Sequence, residues 1–214
     1  MSYGDSLRNH IYNTLRQEIT DGTKPAGAVM HQEALAKRFL SSRSPIREAL
    51  SRLEAEGLVL LRPRRGYIVK ELSPDEIMEL FEMRAALEEN AVFVATSVRK
   101  SQDIETVKKL LEGMQTVSDH VPMDHQKWML INREFHHRMY VCSGRKRLCD
   151  AISALRDQTD AYIRSVIGDQ DHLGVANRDH DEIFAAFEVG NANLAARLSK
   201  EHCLSTARFM LEKS

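Results

Sequence analysis

Three histidines occupy positions from which their side chains could meet in one site. Helical periodicity places His136, His180 and His202 each on the apolar, inward face of a separate predicted helix. Asn132 lies four residues before His136 and therefore on the same side of its helix. A single inward histidine is usually a hydrogen-bonded core residue, whereas three on separate helices can share a divalent metal ion. Spacing alone leaves both interpretations open.

An arginine and a glutamate interrupt the apolar face of an earlier segment. Arg84 and Glu88 are four residues apart and lie in register with Ile77, Phe81 and Ala91. A buried charge is costly unless it is paired. The two side chains therefore form an internal ion pair, or Arg84 points into a cavity and binds a carboxylate ligand through two parallel hydrogen bonds.

A second group of candidate residues is suited to nucleic acid. Ser44 and Pro45 predict the start of a helix, as N-cap and first helical residue, and Gly57 predicts its end. This helix carries an apolar stripe on one side and Arg43 and Arg47, four residues apart, on another. It is either an amphipathic core helix with solvated arginines or a recognition helix whose arginines contact guanine or phosphate in the major groove.

The segments around this helix favour the recognition helix. Two predicted helices precede it, and a strand, a basic turn and a return strand follow it, at 6–21, 32–39, 58–61, 62–66 and 67–69. Three helices and a small β-hairpin wing form a winged helix-turn-helix domain. Arg38 on the second helix and Arg64, Arg65 and Gly66 in the wing are expected to contact the DNA backbone or a neighbouring groove.

Beyond the wing the chain is predicted to be helical throughout. Ser73, Pro74 and Glu76 are typical of a helix start, with a capping serine, a proline in the first turn and a glutamate that completes a capping box. We therefore predict a mainly α fold with a winged helix-turn-helix domain at 1–72 and an all-α domain at 73–214. The second domain is expected to be an antiparallel bundle of about six helices, at 74–97, 102–119, 124–142, 145–168, 174–189 and 192–212.

Charge is divided unequally between the two predicted domains. Residues 1–72 contain 12 Lys and Arg against 8 Asp and Glu, a net charge of +4, whereas residues 73–214 contain 18 against 23, a net charge of −5. This asymmetry predicts nucleic-acid contact by the first domain. No apolar run reaches the ~18 residues of a membrane span, no secretory signal pattern is present, and the three cysteines lack paired spacing. We therefore expect a cytoplasmic protein that has no membrane partner.

The first domain resembles the GntR family of bacterial transcription regulators. The match is carried by Leu35, Ala36, Phe39, Ser42, Arg43, Pro45, Ile46, Arg47, Glu48, Ala49, Leu50, Leu53, Gly57, Leu58 and Val59. The resemblance implies a DNA-binding surface in which Arg43 and Arg47 contact bases or phosphates. The remaining members of the expected surface are Arg38, Ser42, Ser44, Arg64, Arg65 and Gly66.

The second domain resembles the FCD ligand-binding domain of the FadR-type branch of this family. Two motifs carry the match, and their residues are Asn132, Phe135, His136, Met139, Ser143, Gly144, His180, Ile183, Ala186, Phe187, Gly190, Ala195 and His202. The resemblance implies that the three histidines and residue 132 bind a divalent metal beside an effector cavity. The family has aspartate where this chain has Asn132, so we expect a weaker, nitrogen-rich site suited to zinc or nickel. Without metal, protonated histidines and Arg84 would bind an anion instead.

The resemblance implies a ligand-responsive transcription regulator. We expect a homodimer on a palindromic double-stranded DNA operator, with DNA affinity altered by an organic acid bound near Arg84. The alternatives are a constitutive repressor with a vestigial pocket and a three-histidine metal hydrolase tethered to DNA. We do not expect an enzyme, because the sequence contains no HExxH, Ser/His/Asp or Gly-rich phosphate motif. The acidic neighbours of the histidines, Glu134, Asp179 and Asp181, are expected to face away from them.

Overall fold

The computed structural model describes residues 3–63, 66–167 and 170–212, and within these ranges the chain is mostly helical. It divides into two compact units. One comprises Met1–Ser73 with Asp157–Ala161, and the other comprises Pro74–Arg156 with Tyr162–Ser214. The predicted fold class, a winged helix-turn-helix followed by a helical domain, is confirmed.

The N-terminal unit contains three helices and a small antiparallel sheet. Its elements are α1 (Tyr3–Thr20), β1 (Val29–Met30), α2 (Gln32–Arg38), α3 (Arg43–Ala55), β2 (Val59–Arg62) and β3 (Gly66–Val69). Strand β3 lies between β1 and β2, so that Val29 and Leu60 both pair with Ile68. The sequence predicts the β2–β3 hairpin but not β1, because two residues are too few to show an alternating pattern.

Apolar side chains of α1 and α3 form the core of this unit. Ile11 and Leu15 of α1 are completely buried, as are Ile46, Leu50 and Leu53 of α3. The two helices pack against each other. Burial of an aliphatic side chain of this size contributes roughly 1.5–3 kcal/mol, so these contacts hold one side of α3 firmly and leave the other side exposed.

The start of α3 differs from the prediction. The N-cap is Ser42, whose backbone is extended (φ −75°, ψ 171°), rather than Ser44. Ser44 is the second helical residue, and its hydroxyl lies 3.2 Å from a carboxylate oxygen of Glu48. Pro45 therefore occupies the third helical position, which is tolerated because the N–H groups of the first turn have no intrahelical acceptor. Gly57, with a left-handed backbone (φ 75°), follows the end of the helix as predicted.

Beyond Ser73 the described residues form the six helices that the sequence predicts, and all of them belong to the C-terminal unit except for Asp157–Ala161 of the fourth. They are α4 (Pro74–Val98), α5 (Ser101–Ser118), α6 (His125–Val141), α7 (Lys146–Ile167), α8 (Gln170–Val189) and α9 (Ala192–Glu212). Within the described residues, α8 begins four residues before its predicted start, and the other ends agree to within one residue. No helix in the described ranges is both long and apolar enough to cross a membrane.

The packing of the bundle directs several polar side chains inward. Helix α4 packs along α9, α6 packs on α5, and α8 packs on α9. The buried polar residues of these helices and of α7 include Arg84, Asn132, His136, Arg156 and His180. Because most buried polar groups in proteins have a hydrogen-bond partner, such a group inside a bundle indicates a network or a binding site.

Candidate functional site

The exposed side of α3 carries four of the residues predicted to contact DNA. Ser42, Arg43, Ser44 and Arg47 are all exposed, since the opposite side of the helix is buried. Arg43 forms an ion pair with Glu33 of α2, and both side chains are 69% exposed. The geometry of α3 is therefore that of a helix whose guanidinium groups are accessible to guanine or phosphate.

The other predicted DNA contacts lie on neighbouring elements. Arg38 at the end of α2 forms an ion pair with Glu18 of α1. The hydrogen bond to Glu18 raises the pKa of Arg38 above its ordinary value. Gly66 begins β3 and has a left-handed backbone (φ 78°), which favours glycine. Arg64 and Arg65 lie outside the described residues.

A cluster that was not predicted from the sequence joins α1 to the end of α3. The Tyr12 hydroxyl lies 2.7 Å from each carboxylate oxygen of Glu56, and the Arg52 guanidinium carbon lies 3.6 Å from the centre of the Tyr12 ring. Burial and then the hydrogen bond to Glu56 raise the pKa of Tyr12 to about 12, so the phenol remains a donor. The cluster helps to fix the direction in which α3 presents its arginines.

A small cavity lies inside the C-terminal unit. Its volume is about 30 Å³, which exceeds the roughly 10–15 Å³ that a cavity needs to hold one water molecule. Helices α4, α6, α7, α8 and α9 contribute to its wall. Six polar residues of the wall stood out in the sequence and two, Arg156 and Thr206, did not; the six are Arg84, Glu88, Asn132, His136, His180 and His202.

The three predicted histidines meet at this cavity. Nε2 of His136 lies 3.2 Å from Nε2 of His180, and one ring nitrogen of each histidine, that of His202 included, lies within 4.8 Å of the others. Imidazole nitrogens bind zinc at about 2.0–2.1 Å, so two ligands of one ion are at most about 4.2 Å apart, and the 3.2 Å pair fits this limit. Small side-chain movements would bring a pair at 4.8 Å within it. The spacing argument that placed a histidine on each of three inward faces therefore identified neighbours in space.

A carboxylate orients the third histidine. Oδ2 of Asp179 lies 2.9 Å from Nδ1 of His202. The prediction that Asp179 faces away from the histidines is wrong: the residue is adjacent to His180 in sequence and points from α8 towards α9. A carboxylate behind a histidine fixes its tautomer and leaves Nε2 available to a metal ion.

Burial keeps two of the histidines neutral. It lowers the pKa of His136 well below the ordinary value, and the positive charge of Arg156 lowers this pKa further. Burial likewise lowers the pKa of His180, with a smaller effect from His202. Both rings therefore have a lone pair at neutral pH, as metal binding requires.

The polar atoms in the site that lack a hydrogen-bond partner among the described residues include Oδ1 of Asn132 and Nδ1 of His180. An unsatisfied buried polar group costs roughly 1–3 kcal/mol. The amide oxygen of Asn132 would be satisfied if it completed a four-ligand set with the three imidazoles. This set fits zinc or nickel, whereas magnesium and calcium require more oxygen ligands.

Arg84 forms the internal ion pair that one interpretation predicts. Its Nε and Nη2 donate hydrogen bonds to the same carboxylate oxygen of Glu88, at 3.2 and 3.1 Å, and both side chains are buried. Arg84 also forms part of the cavity wall. Arg156 of α7, which was not predicted, places Nη1 3.9 Å from the same Glu88 oxygen. One carboxylate thus lies between two guanidinium groups at the edge of the cavity.

An exposed recognition helix in one unit and a polar cavity in the other define the class of protein, which is a helix-turn-helix transcription regulator with a separate helical domain. Residues 7–69 match the family described as bacterial regulatory proteins, gntR family, and residues 79–205 match the FCD domain. The chain belongs to the GntR-family regulators that carry an FCD domain, and the resemblance inferred from its motifs is confirmed.

Individual relatives agree with this assignment. The chain is 28% identical over 196 residues to the HTH-type transcriptional regulator YdhC of Bacillus subtilis, an alignment that covers 91% of this chain and 85% of YdhC. It is 25% identical over 206 residues to the transcriptional repressor GlaR of Escherichia coli, covering 91% of each chain. Among solved structures, E. coli McbR/YncC has a TM-score of 0.85 at 22% identity and covers 100% of this chain and 99% of its own, which shows the shared fold.

Proposed function

We propose that this protein is a ligand-responsive transcription regulator that binds a palindromic DNA operator as a homodimer. The observation that carries the proposal is α3, which buries one side against α1 and leaves Arg43 and Arg47 exposed on the other. In a symmetric dimer, two copies of α3 would enter major grooves about one helical turn apart.

The two predicted domains would have separate functions. Residues 1–72 would bind DNA, with Arg43 and Arg47 at bases or phosphates and with Arg38, Ser42, Ser44, Arg64, Arg65 and Gly66 around them. Residues 73–214 would bind the effector and form the dimer. The E. coli relative GlaR is named as a transcriptional repressor, which supports repression as the outcome. A regulator of this kind acts in the cytoplasm and needs no enzymatic activity.

The cavity would bind zinc or nickel and a small carboxylate. His136, His180, His202 and Asn132 would hold the metal ion, and the ion would attract an oxygen of the effector. Arg84 would contact the effector carboxylate in competition with Glu88. The cavity volume of about 30 Å³ is small, so we expect the helices around it to move apart when an organic acid of several carbon atoms enters. That displacement would provide the coupling to DNA affinity.

Selection of operator sequences from a random duplex library tests the DNA-binding half of the proposal. Replacement of a base-contacting arginine by alanine should cost roughly 1–3 kcal/mol on the selected operator, which is about 5- to 150-fold in affinity. Loss of a phosphate contact should instead reduce the salt dependence of binding by about one unit. Arg197→Ala is the matched control, since Arg197 is an exposed arginine in the other unit, paired with Glu201.

The result that contradicts this role is a doubly substituted Arg43→Ala, Arg47→Ala protein that binds the selected operator as tightly as the Arg197→Ala control. A small cavity also favours one alternative, a constitutive repressor with a vestigial pocket. Operator affinity that is unchanged by a panel of carboxylates, with and without zinc or nickel, would support that alternative. Turnover of ester or amide substrates by the metal-loaded protein would support a hydrolase instead.

A further inference from the structure

An acidic side chain lies among the residues expected to bind DNA. Glu33, the second residue of α2, forms an ion pair with Arg43, the first residue of α3, and both side chains are 69% exposed. They line a groove of about 1010 Å³ in the N-terminal unit, together with Lys37 of α2 and Gly66 at the start of β3. Within the described wall of this groove, Glu33 is the one residue with a carboxylate. The groove therefore presents a hydrogen-bond acceptor beside the donors of Arg43.

A second glutamate that pairs with a predicted DNA-binding arginine has a different setting. Glu18 pairs with Arg38 and also with Lys24, and its side chain is 15% exposed, so it holds neighbouring segments of the unit together. Glu33 is accessible instead, and exposed ion pairs contribute little to stability. A carboxylate near DNA is also repelled by the phosphates. Glu33 therefore weakens DNA binding unless it makes a contact with the DNA itself.

The chemistry of the Arg43–Glu33 pair is complementary to guanine and cytosine. In the major groove, guanine presents two acceptors, O6 and N7, which arginine binds, and cytosine presents one donor, the N4 amino group, from which glutamate accepts. When Arg43 turns from Glu33 to guanine, the carboxylate loses its partner, and a cytosine amino group can replace it. Thymine presents the acceptor O4, and adenine places the acceptor N7 beside its amino group, so neither base suits a carboxylate as well.

We propose that Glu33 is a specificity-determining residue, whose carboxylate accepts a hydrogen bond from the N4 amino group of a cytosine in the base pair next to the one that Arg43 contacts. The inference rests on the DNA binding of the proposed function and adds one base to the operator. Arg43 begins α3, and the first residues of a recognition helix are those that contact base edges. An ion pair places its charged atoms within about 4 Å of each other, and successive base pairs are stacked about 3.4 Å apart. The two side chains can therefore contact neighbouring base pairs.

Operator selection with variants of the full-length protein tests the assignment. Selection with Arg43→Ala identifies the guanine, because the preference for that base is lost. At the neighbouring position the natural protein should select cytosine, and Glu33→Gln should select adenine, because a glutamine amide is complementary to N6 and N7 of adenine. Glu201→Gln is the matched control, since Glu201 is an exposed glutamate paired with an arginine in the other unit. It should select the same bases as the natural protein.

A chemical change in the DNA tests the hydrogen bond directly. N4-methylcytosine still pairs with guanine but has a methyl group in place of the amino hydrogen that faces the major groove. At the predicted position it should weaken binding of the natural protein by about fivefold or more, and binding of Glu33→Ala by less than about twofold. Glu33 also lies in the first turn of α2, where a negative charge stabilises the helix. That effect does not depend on the base, so it would not produce this difference.

The outcomes that overturn the inference are distinguishable from failure of the proposed function. Glu33 does not contact cytosine if Glu33→Gln selects the same base as the natural protein, or if N4-methylcytosine affects the natural protein and Glu33→Ala equally. An Arg43→Ala variant that keeps every base preference would overturn the inference as well. In these cases DNA binding that depends on Arg43 and Arg47 would leave the proposed function standing. Failure of the natural protein to select any operator would remove both.

Discussion

The shared carboxylate of Glu88 leads to the sharpest prediction for stability. The isosteric replacement Glu88→Gln removes its charge and leaves the guanidinium groups of Arg84 and Arg156 buried beside each other. At the observed 3.1 Å between Arg84 and Glu88, Coulomb's law with an effective dielectric constant of ~20 gives about 5 kcal/mol for the attraction that is lost. Measured costs of removing one partner from a buried pair are about 3–5 kcal/mol, so we expect a loss in that range.

Glu89 provides the matched control on the same helix. It pairs with Lys200 at 2.9 Å, but the two side chains are 38% and 44% exposed. Exposed pairs contribute roughly 0–1 kcal/mol, so Glu89→Gln should cost no more than that. Comparison of the two variants separates the effect of burial from the effect of losing a glutamate.

Urea unfolding followed by tryptophan fluorescence measures the difference, because Trp128 is the only tryptophan and is buried in the C-terminal unit. The midpoint should move with an unchanged slope if only stability is altered. Formate should restore part of the lost stability of Glu88→Gln by occupying the place of the carboxylate. A cost below about 1 kcal/mol, equal to that of Glu89→Gln, would refute the assignment of a charged, desolvated network at the edge of the cavity.

Two further predictions concern pH and backbone conformation. Because the pKa values of His136 and His180 are lowered in the folded state, the unfolded chain is protonated first as the pH falls. The free energy of unfolding of metal-free protein should therefore fall below pH ~6.5, by up to about 1.4 kcal/mol per pH unit for each histidine; a constant value from pH 7.5 to 5.5 in urea would contradict this. Gly190→Ala should destabilise by about 1 kcal/mol or more, since φ is 84° and the new Cβ would meet the Arg99 guanidinium. Gly113 lies inside α5, and a Cβ at this position would be 3.8 Å from Ile131, an ordinary contact. Gly113→Ala should therefore stabilise the protein by about 0.5–1 kcal/mol. Thermal melting of both variants in parallel tests the contrast.

The residues of the cavity could be predicted where they interrupt an apolar helical stripe. Arg84 and the three histidines were identified in this way. Arg156 follows the same rule, because it lies in the buried stripe of α7 with Cys149, Ile152, Thr159 and Ile163, and the same test applied to that helix would have found it. Sequence periodicity reports which side of a helix is buried, and a polar residue on that side is therefore informative.

Features that depend on the packing of one element against another could not be predicted. The contact of Asp179 with His202 exists because α8 packs on α9, and the strand β1 exists because β3 lies beside it. Residue type alone did not identify the N-cap of α3, because Ser41, Ser42 and Ser44 are all suited to that position. In the structure the N-cap is Ser42, whose backbone is extended. The small volume of the cavity likewise follows from packing rather than from the types of residue around it.

The packing of α4 along α9 also affects the order in which a newly made chain can fold. The two helices are partners, yet α5, α6, α7 and α8 are synthesised between them. At roughly 5–20 residues per second, a ribosome needs roughly 5–19 s to pass from the end of α4 to the start of α9. The core formed by α1 and α3 can be completed before that interval begins. A nascent chain would therefore present its recognition helix while the cavity that is proposed to control it does not yet exist.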